Sequence, residues 1–430
     1  MVAISVLLIK NEKTFLKEKS MLVDFNVKNF RSFKNEQEFS MQPGKRLRKY
    51  QKSNTISAKN ERLLKSVLLF GANANGKTNL INALLMLKRL VLSPTSNELQ
   101  SLATDTFGYN KEKTCFDITF IKRSNKYKYF LKYDKERVFQ EVLSVNNVEI
   151  FKRNEQNFDL IPSQLIPLKD NIRKNQLLLY FAQQNNEKNS KEAFEWFAED
   201  LMLVNTERIM NDRFKLLENE DFKKKFLHFL KAADFNIVDV EVREKKGEVP
   251  NPEYILKKLN SDGSDDDADD NARTVQQISY DVYSKHESEQ GTFSVFFGNE
   301  STGTKVFMFL ALYILNNTNK TLLIDEFDRS YHLELAEALL KLINSEKQTN
   351  QFILTTHELS LMDTNLRQDQ IWFAEKNRFG ETELFSVFDF DDPGLKRSDF
   401  NYKKRYLEGQ YGAIQLVNTD SLLEVLDKNE

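Results

Sequence analysis

From Met21 to about Phe39 apolar residues fall on alternate positions, as in Leu22-Val23-Asp24-Phe25-Asn26-Val27, and the alternation breaks at Asn29-Phe30-Arg31-Ser32-Phe33. That period of two predicts strands joined by a turn. Ser66-Val67-Leu68-Leu69-Phe70 is instead a continuous apolar run, the pattern of a strand buried on both faces. After it, Leu80, Ile81, Leu84, Leu85 and Leu87 recur at helical spacing. Alternation returns between Thr114 and about Ile150, predicting antiparallel strands. From about Ser190 to Ala233 the period is helical, with aromatic anchors at Phe194, Trp196, Phe197, Phe226 and Phe229. Strand patterns then cover Ile237–Val242 and Ile278–Tyr283.

The last third alternates helix and strand. A helix is predicted from about Thr302, a strand at Thr321–Ile324, a helix at Leu333–Ile343 and a strand at Phe352–Thr355; strand-like Gln370–Ala374 and Leu384–Phe388 follow. Such alternation implies an α/β protein with a mainly parallel sheet covered by helices. The pattern divides the chain into an extension (1–20), for which Met21 is an alternative start, a first lobe (21–185), a helical insertion (186–235) and a second lobe (236–430). Ser261 to Asp270 carries six aspartates and cannot bury apolar surface, so a solvated loop is expected there; its spacing is not that of an EF-hand.

Composition adds limits rather than direction. The 430 residues carry a formal charge of −2, so any nucleic-acid site must be a local patch. One cysteine, Cys115, excludes an intramolecular disulfide and a cysteine-based zinc cluster, and fits a reducing cytoplasm. No apolar run approaches the length of a membrane span, and a membrane partner is not expected.

Chemistry enters at Gly71-Ala72-Asn73-Ala74-Asn75-Gly76-Lys77-Thr78. Glycines here let backbone N–H groups wrap phosphates, and the following helix points its positive end at them. In that P-loop pattern Lys77 neutralises the β- and γ-phosphates of ATP and Thr78 ligates Mg²⁺. Thr321-Leu322-Leu323-Ile324-Asp325-Glu326 is an apolar strand ending in two acids: Asp325 suits Mg²⁺, and Glu326 suits the general base that polarises the attacking water. Roughly 240 residues separate the two motifs, too many for a compact AAA+ module. Asn299-Glu300-Ser301-Thr302-Gly303-Thr304 opens an apolar helix before the second motif, and Phe352-Ile353-Leu354-Thr355-Thr356-His357 ends in a lone histidine after it.

This order of P-loop, Ser-x-Gly, Asp-Glu and histidine resembles the ABC ATPases. Asn73 to Asn79, with Lys28-Asn29-Phe30-Arg31-Ser32-Phe33, looks like their SMC and RecF-like branch. Asn299–Thr304, Asp325-Glu326-Phe327-Asp328 and Tyr406 to Gly412 look like the ATPase subunits of bacterial abortive-infection phage-defence systems, of the RloA and AbiL type. The resemblance implies an ABC-type nucleotide-binding fold with an antiparallel β lobe and an inserted helical lobe. It implies an ATP-hydrolysing homodimer, closed head to tail around two ATP and open to higher assembly, and a separate nuclease- or toxin-like effector. Asn73, Asn75, Gly76, Lys77, Thr78 and Asn79 would then bind nucleotide, and Ser301 and Gly303 would reach the γ-phosphate across the dimer. His357 would sense that phosphate, and Asp328–His332 would form the D-loop at the seam. Gln183, after Leu177–Phe181, would be the Q-loop residue touching nucleotide and metal; two solvated glutamines, Gln183 and Gln184, are the plain reading. The signature departs from Leu-Ser-Gly-Gly-Gln, with Glu300 first and Thr302 third, which argues against a transporter subunit.

Other signals are weaker. Asp389-Phe390-Asp391-Asp392 is read as a surface turn rather than a nuclease metal site. His228, His286 and His332 lack metal-ligand spacing. Basic segments Lys45–Lys52, Lys122–Lys128 and Lys396–Arg405 offer phosphate-tracking surface for DNA or RNA, against the ordinary reading of solvated faces. In the last, Tyr402, Tyr406 and Tyr411 interleave with cations as on a single-strand or protein-binding surface. Three functions compete: a defence ATPase, a RecF-like DNA-maintenance ATPase, and a scaffold that binds ATP mainly to assemble.

Overall fold

The computed structural model describes residues 19–204, 211–250, 274–390, 400–412 and 423. The acidic run 261–270 and nearly all of the extension lie outside them. The chain forms two compact units, one of residues 1–203 with 318–430, the other of residues 204–317.

The first unit holds a six-stranded sheet in the order Leu201–Leu203, Thr321–Ile324, Gln351–Thr355, Ser66–Phe70, Ile371–Lys376, Thr382–Ser386. The first five strands run parallel and the last is antiparallel to its neighbour. All residues of Ser66–Phe70, Thr321–Ile324 and Gln351–Thr355 are buried, as their unbroken apolar runs predict. The strand ending in Phe70 leads through the glycine loop into helix Lys77–Leu92, whose Leu80, Ile81, Leu84 and Leu87 face the core. Beside it lies a seven-stranded sheet of antiparallel neighbours, in which Met21–Lys28 pairs with both Gln37–Ser40 and Thr114–Lys122. Gln351, fully buried, joins the two sheets: its side-chain amide donates to the Leu22 and Leu64 carbonyls and its oxygen accepts from the Leu22 N–H.

The stretch read as a helical insertion, 186–235, spans both units. Residues 186–203 belong to the first unit because Trp196 stacks on Phe120 with ring centroids 4.2 Å apart, and Leu201–Leu203 adds a strand beside Thr321–Ile324. The second unit takes the remainder and more, through Asn317. It pairs helices Glu220–Ala232 and Thr302–Asn316 with a three-stranded antiparallel sheet, Asp239–Pro250, Thr274–Ser288 and Gly291–Phe296. Residues 236–317 fall in the second unit and residues 318–430 in the first.

Two expectations about surface chemistry also change. In the segment Lys122–Lys128 the cations face carboxylates: Lys122 with Asp200, Arg123 with Glu195, Lys126 with Glu61 and Lys128 with Asp117. Those charges serve the fold before any phosphate. Tyr402, Tyr406 and Tyr411 are buried, the latter two stacked on Phe373 at 5.3 Å, so they anchor helix Tyr402–Leu407 and the turn after it instead of presenting a stacking surface.

Candidate nucleotide site

The site gathers at the C-terminal edge of the parallel sheet, where three strands deliver their last residues. Gly71 leaves the first strand at φ 142°, and an added Cβ would lie 2.5 Å from the Ala374 carbonyl, so only glycine fits. Gly76 ends the loop at φ 95°, and a Cβ there would meet Thr382 Oγ1 and Ser32 Oγ at 2.6 and 2.7 Å. The loop is braced from outside. Thr382 Oγ1 donates to the Asn75 carbonyl (2.9 Å), Asn75 Nδ2 donates to the Ala374 carbonyl (3.2 Å), and Asn79 Nδ2 donates to Ser32 Oγ (2.7 Å). Asn75 and Asn79 thus hold the cradle in shape, and Ser32 shows why the Asn29–Phe33 turn sits beside it.

Lys77 is the first residue of the helix and is buried. Its Nζ donates to the Gly71 and Ala72 carbonyls at 2.8 and 3.0 Å and stands 3.5 Å from His357 Nδ1. Burial holds its pKa down to about 8, against the pull of Asp325, Glu326 and Asp328. Burial, then the neighbouring Lys77, also lowers the pKa of His357 below the usual histidine value. A neutral His357 can offer Nδ1 to the lysine as an acceptor.

Thr78 Oγ1 donates to Asp325 Oδ1 at 3.1 Å, which brings the two expected metal residues together. Thr355 also meets that carboxylate: its hydroxyl donates to Asp325 Oδ1 and accepts from the Glu326 N–H at 2.8 Å. Glu326 itself has φ 48°, an unusual backbone for a residue with a side chain, held by this bond and by Phe327 N donating to the Thr355 carbonyl at 3.0 Å. Its carboxylate pairs with Arg329, Oε2 to Nη1 3.1 Å. Asp328 Oδ2 accepts from the His357 N–H at 3.3 Å, and among the described residues its buried Oδ1 has no hydrogen-bond partner.

Asn73, Ala74, Gly76, Lys77, Thr78, Asn79, Glu326, Thr355, His357 and Lys376 line one cleft of about 280 Å³. Asn73 and His357 also line an adjoining one with Asp328 and Arg329. Among the described residues no group of three or more His, Cys, Asp or Glu could hold a metal alone. The Thr78–Asp325 pair fits a cation that takes its other oxygens from phosphate and water, as Mg²⁺ does.

Thr355 and Lys376 were missed in the sequence; the position of Thr355, at the end of the strand beside the acidic one, was the available signal. Gln183 lies in the last turn of helix Leu178–Gln184 and is not among the residues lining either cleft. Buried Glu141 caps that helix, accepting from the Leu178 and Leu179 N–H groups, and pairs with buried Arg153 at 3.7 Å. Ser301 and Gly303 belong to the second unit, where Ser301 caps helix Thr302–Asn316, its Oγ accepting from the Thr304 N–H at 3.1 Å.

A glycine loop on a parallel sheet, with an acid pair on the next strand but one and an antiparallel lobe alongside, defines a P-loop nucleotide-binding fold of the ABC type. Residues 66–363 match the family described as "AAA domain, putative AbiEii toxin, Type IV TA system", and the chain belongs to that family. Among curated proteins none matches the sequence. Among solved structures the chain is similar to an SMC head domain from Thermotoga maritima, at 14% identity over 85% of this chain and 98% of that one, with a TM-score of 0.39. It is similar to an SMC head bound to the C-terminal winged-helix domain of ScpA, at 11% identity, 85% and 97% coverage and a TM-score of 0.45. A third is an SMC head with an extended coiled coil, bound to the C-terminal domain of ScpA and derived from Pyrococcus furiosus, at 13% identity, 85% and 96% coverage and a TM-score of 0.42. No helix of the described residues is long and apolar enough to cross a membrane.

Proposed function

We propose that the protein is an ABC/SMC-like ATPase that closes as a head-to-tail homodimer around two ATP molecules and so controls a separate nuclease- or toxin-type effector in anti-phage abortive infection. The convergence of Lys77, Thr78, Glu326 and His357 on one cleft, with Asp325 hydrogen-bonded to Thr78, supports the ATPase part. The family's description, which names a toxin system, supports the defence part.

In this reading Lys77 leaves the Gly71 and Ala72 carbonyls for the β- and γ-phosphates, while loop N–H groups wrap the phosphate chain. Thr78 and Asp325 would hold Mg²⁺, which would supply positive charge against the charge developing on the phosphates. Glu326 takes a proton from the attacking water, and its fixed backbone keeps the carboxylate aimed at the cleft. His357 meets the γ-phosphate beside Lys77. Ser301 and Gly303 close the site from the second subunit with a helix N-terminus. Gln183 takes the Q-loop role on the resemblance alone.

The test is a native pull-down of tagged Glu326→Gln protein expressed from its own genetic context with ATP present. A stoichiometric nuclease- or toxin-like protein is the expected companion. Recovery of DNA and repair proteins without such a partner would replace the defence role with RecF-like maintenance.

A further inference from the structure

Glu300 stands where the transporter signature has leucine, immediately before Ser301. Its side chain is 6% exposed, and its Oε1 lies 2.8 Å from His286 Nε2, whose ring N–H donates to it. His286 belongs to strand Thr274–Ser288; it faces Phe293 in the register of the next strand, and the two rings stack at 5.4 Å, 19° from parallel. That next strand, Gly291–Phe296, runs through the single turn Phe297–Asn299 into Glu300, where the Glu300 N–H donates to the Phe297 carbonyl at 3.1 Å. Ser301 follows in extended backbone (φ −58°, ψ 151°), with its Oγ on the Thr304 N–H and against Thr304 Oγ1 at 2.8 Å. The segment is thus fixed from both sides: by Ser301 in the helix ahead and by His286 behind.

A carboxylate this buried needs a donor, and one left unpaired carries a large desolvation cost. It also precedes the residue assigned to a phosphate. We propose that His286 is a positioning residue for the signature. By holding the Glu300 carboxylate in place, it fixes the backbone at Ser301 and keeps that negative charge turned from the incoming γ-phosphate. The inference rests on the trans role of Ser301 and Gly303 proposed above. It assigns Glu300 a function: the loop is set by a hydrogen bond, where an apolar first residue would be set by packing.

The test compares His286→Ala, His286→Gln and His286→Ala/Glu300→Gln in the Glu326→Gln background, with ATP-dependent dimerisation followed by sedimentation velocity. ATP binding to the subunit is followed separately with a fluorescent ATP analogue. His286→Ala should weaken the ATP-dependent dimer about tenfold, the loss expected for one charged hydrogen bond, with subunit affinity for the analogue unchanged. His286→Gln, which keeps a donor, and the double variant, which removes the stranded charge, should recover most of it. Circular dichroism and melting of each variant separate misfolding from mispositioning. Dimerisation of folded His286→Ala at parental strength would overturn the proposal, as would failure of both rescues. If the parental Glu326→Gln protein binds ATP and forms no dimer, the sandwich reading itself has failed, which is a distinguishable result.

Discussion

Thr355→Val tests how far the geometry of the two acids depends on one hydroxyl. Thr355 is 1% exposed, and valine keeps its shape while removing its oxygen. Two bonds vanish together: the one to the Asp325 carboxylate and the one that satisfies the Glu326 N–H at 2.8 Å. A hydrogen bond to a charged group contributes about 1.5–3 kcal/mol, and a buried donor left unmade costs about 1–3 kcal/mol. The two share one atom and are not additive, so a loss of about 2–4 kcal/mol in unfolding free energy is expected. Glu326, left with only the Phe327 N–H bond to the Thr355 carbonyl to hold its φ of 48°, also loses part of the constraint that aims its carboxylate. Lys77 and the loop glycines are untouched, so ATP affinity should change little while kcat falls at least about tenfold, a loss of about 1.4 kcal/mol of transition-state stabilisation. Urea unfolding and steady-state phosphate release measure the two effects, and Thr355→Ser should retain most of both. Wild-type turnover with wild-type stability in Thr355→Val would refute the assignment.

Burial holds Lys77 at a pKa of about 8 against an ordinary 10.5, so between those values the unfolded chain binds more protons and stability rises with pH. The full cost is present below pH 8; Lys77→Met should therefore stabilise the nucleotide-free protein by up to roughly 3 kcal/mol at pH 7, a gap closing towards pH 10.5, as thermal melts at several pH values would show. The same variant should lose nucleotide binding, and retained binding in a calorimetric titration would contradict the P-loop assignment. Arg153→Leu leaves buried Glu141 without its cation and should cost about 3–5 kcal/mol in urea unfolding, whereas Arg153→Leu with Glu141→Gln should cost less.

Legibility followed from how local each pattern is. Ser66–Phe70, Thr321–Ile324 and the helix Leu333–Ile343 emerged at the expected residues, because strands buried on both faces leave continuous apolar runs and a helix leaves its own period. Gly71 and Gly76 were readable because no other residue fits the space and φ they occupy. The unit boundary was not readable: it depends on Trp196 meeting Phe120, 76 positions away, and on a three-residue strand too short to show a period. Tyr406 and Tyr411 alternate with cations in the sequence, and only Phe373 reveals them as core. The bonds of Thr355 and the His286–Glu300 pair likewise join residues from different strands or turns, which no single element's period reveals.

The ATP-driven dimer is tested most directly by sedimentation velocity of the Glu326→Gln protein, with and without ATP and Mg²⁺. A shift to twice the subunit mass is expected with ATP and Mg²⁺, lost in Lys77→Ala and in Ser301→Arg, the latter still binding ATP. A protein that binds ATP with Mg²⁺ and remains at its nucleotide-free mass would contradict it.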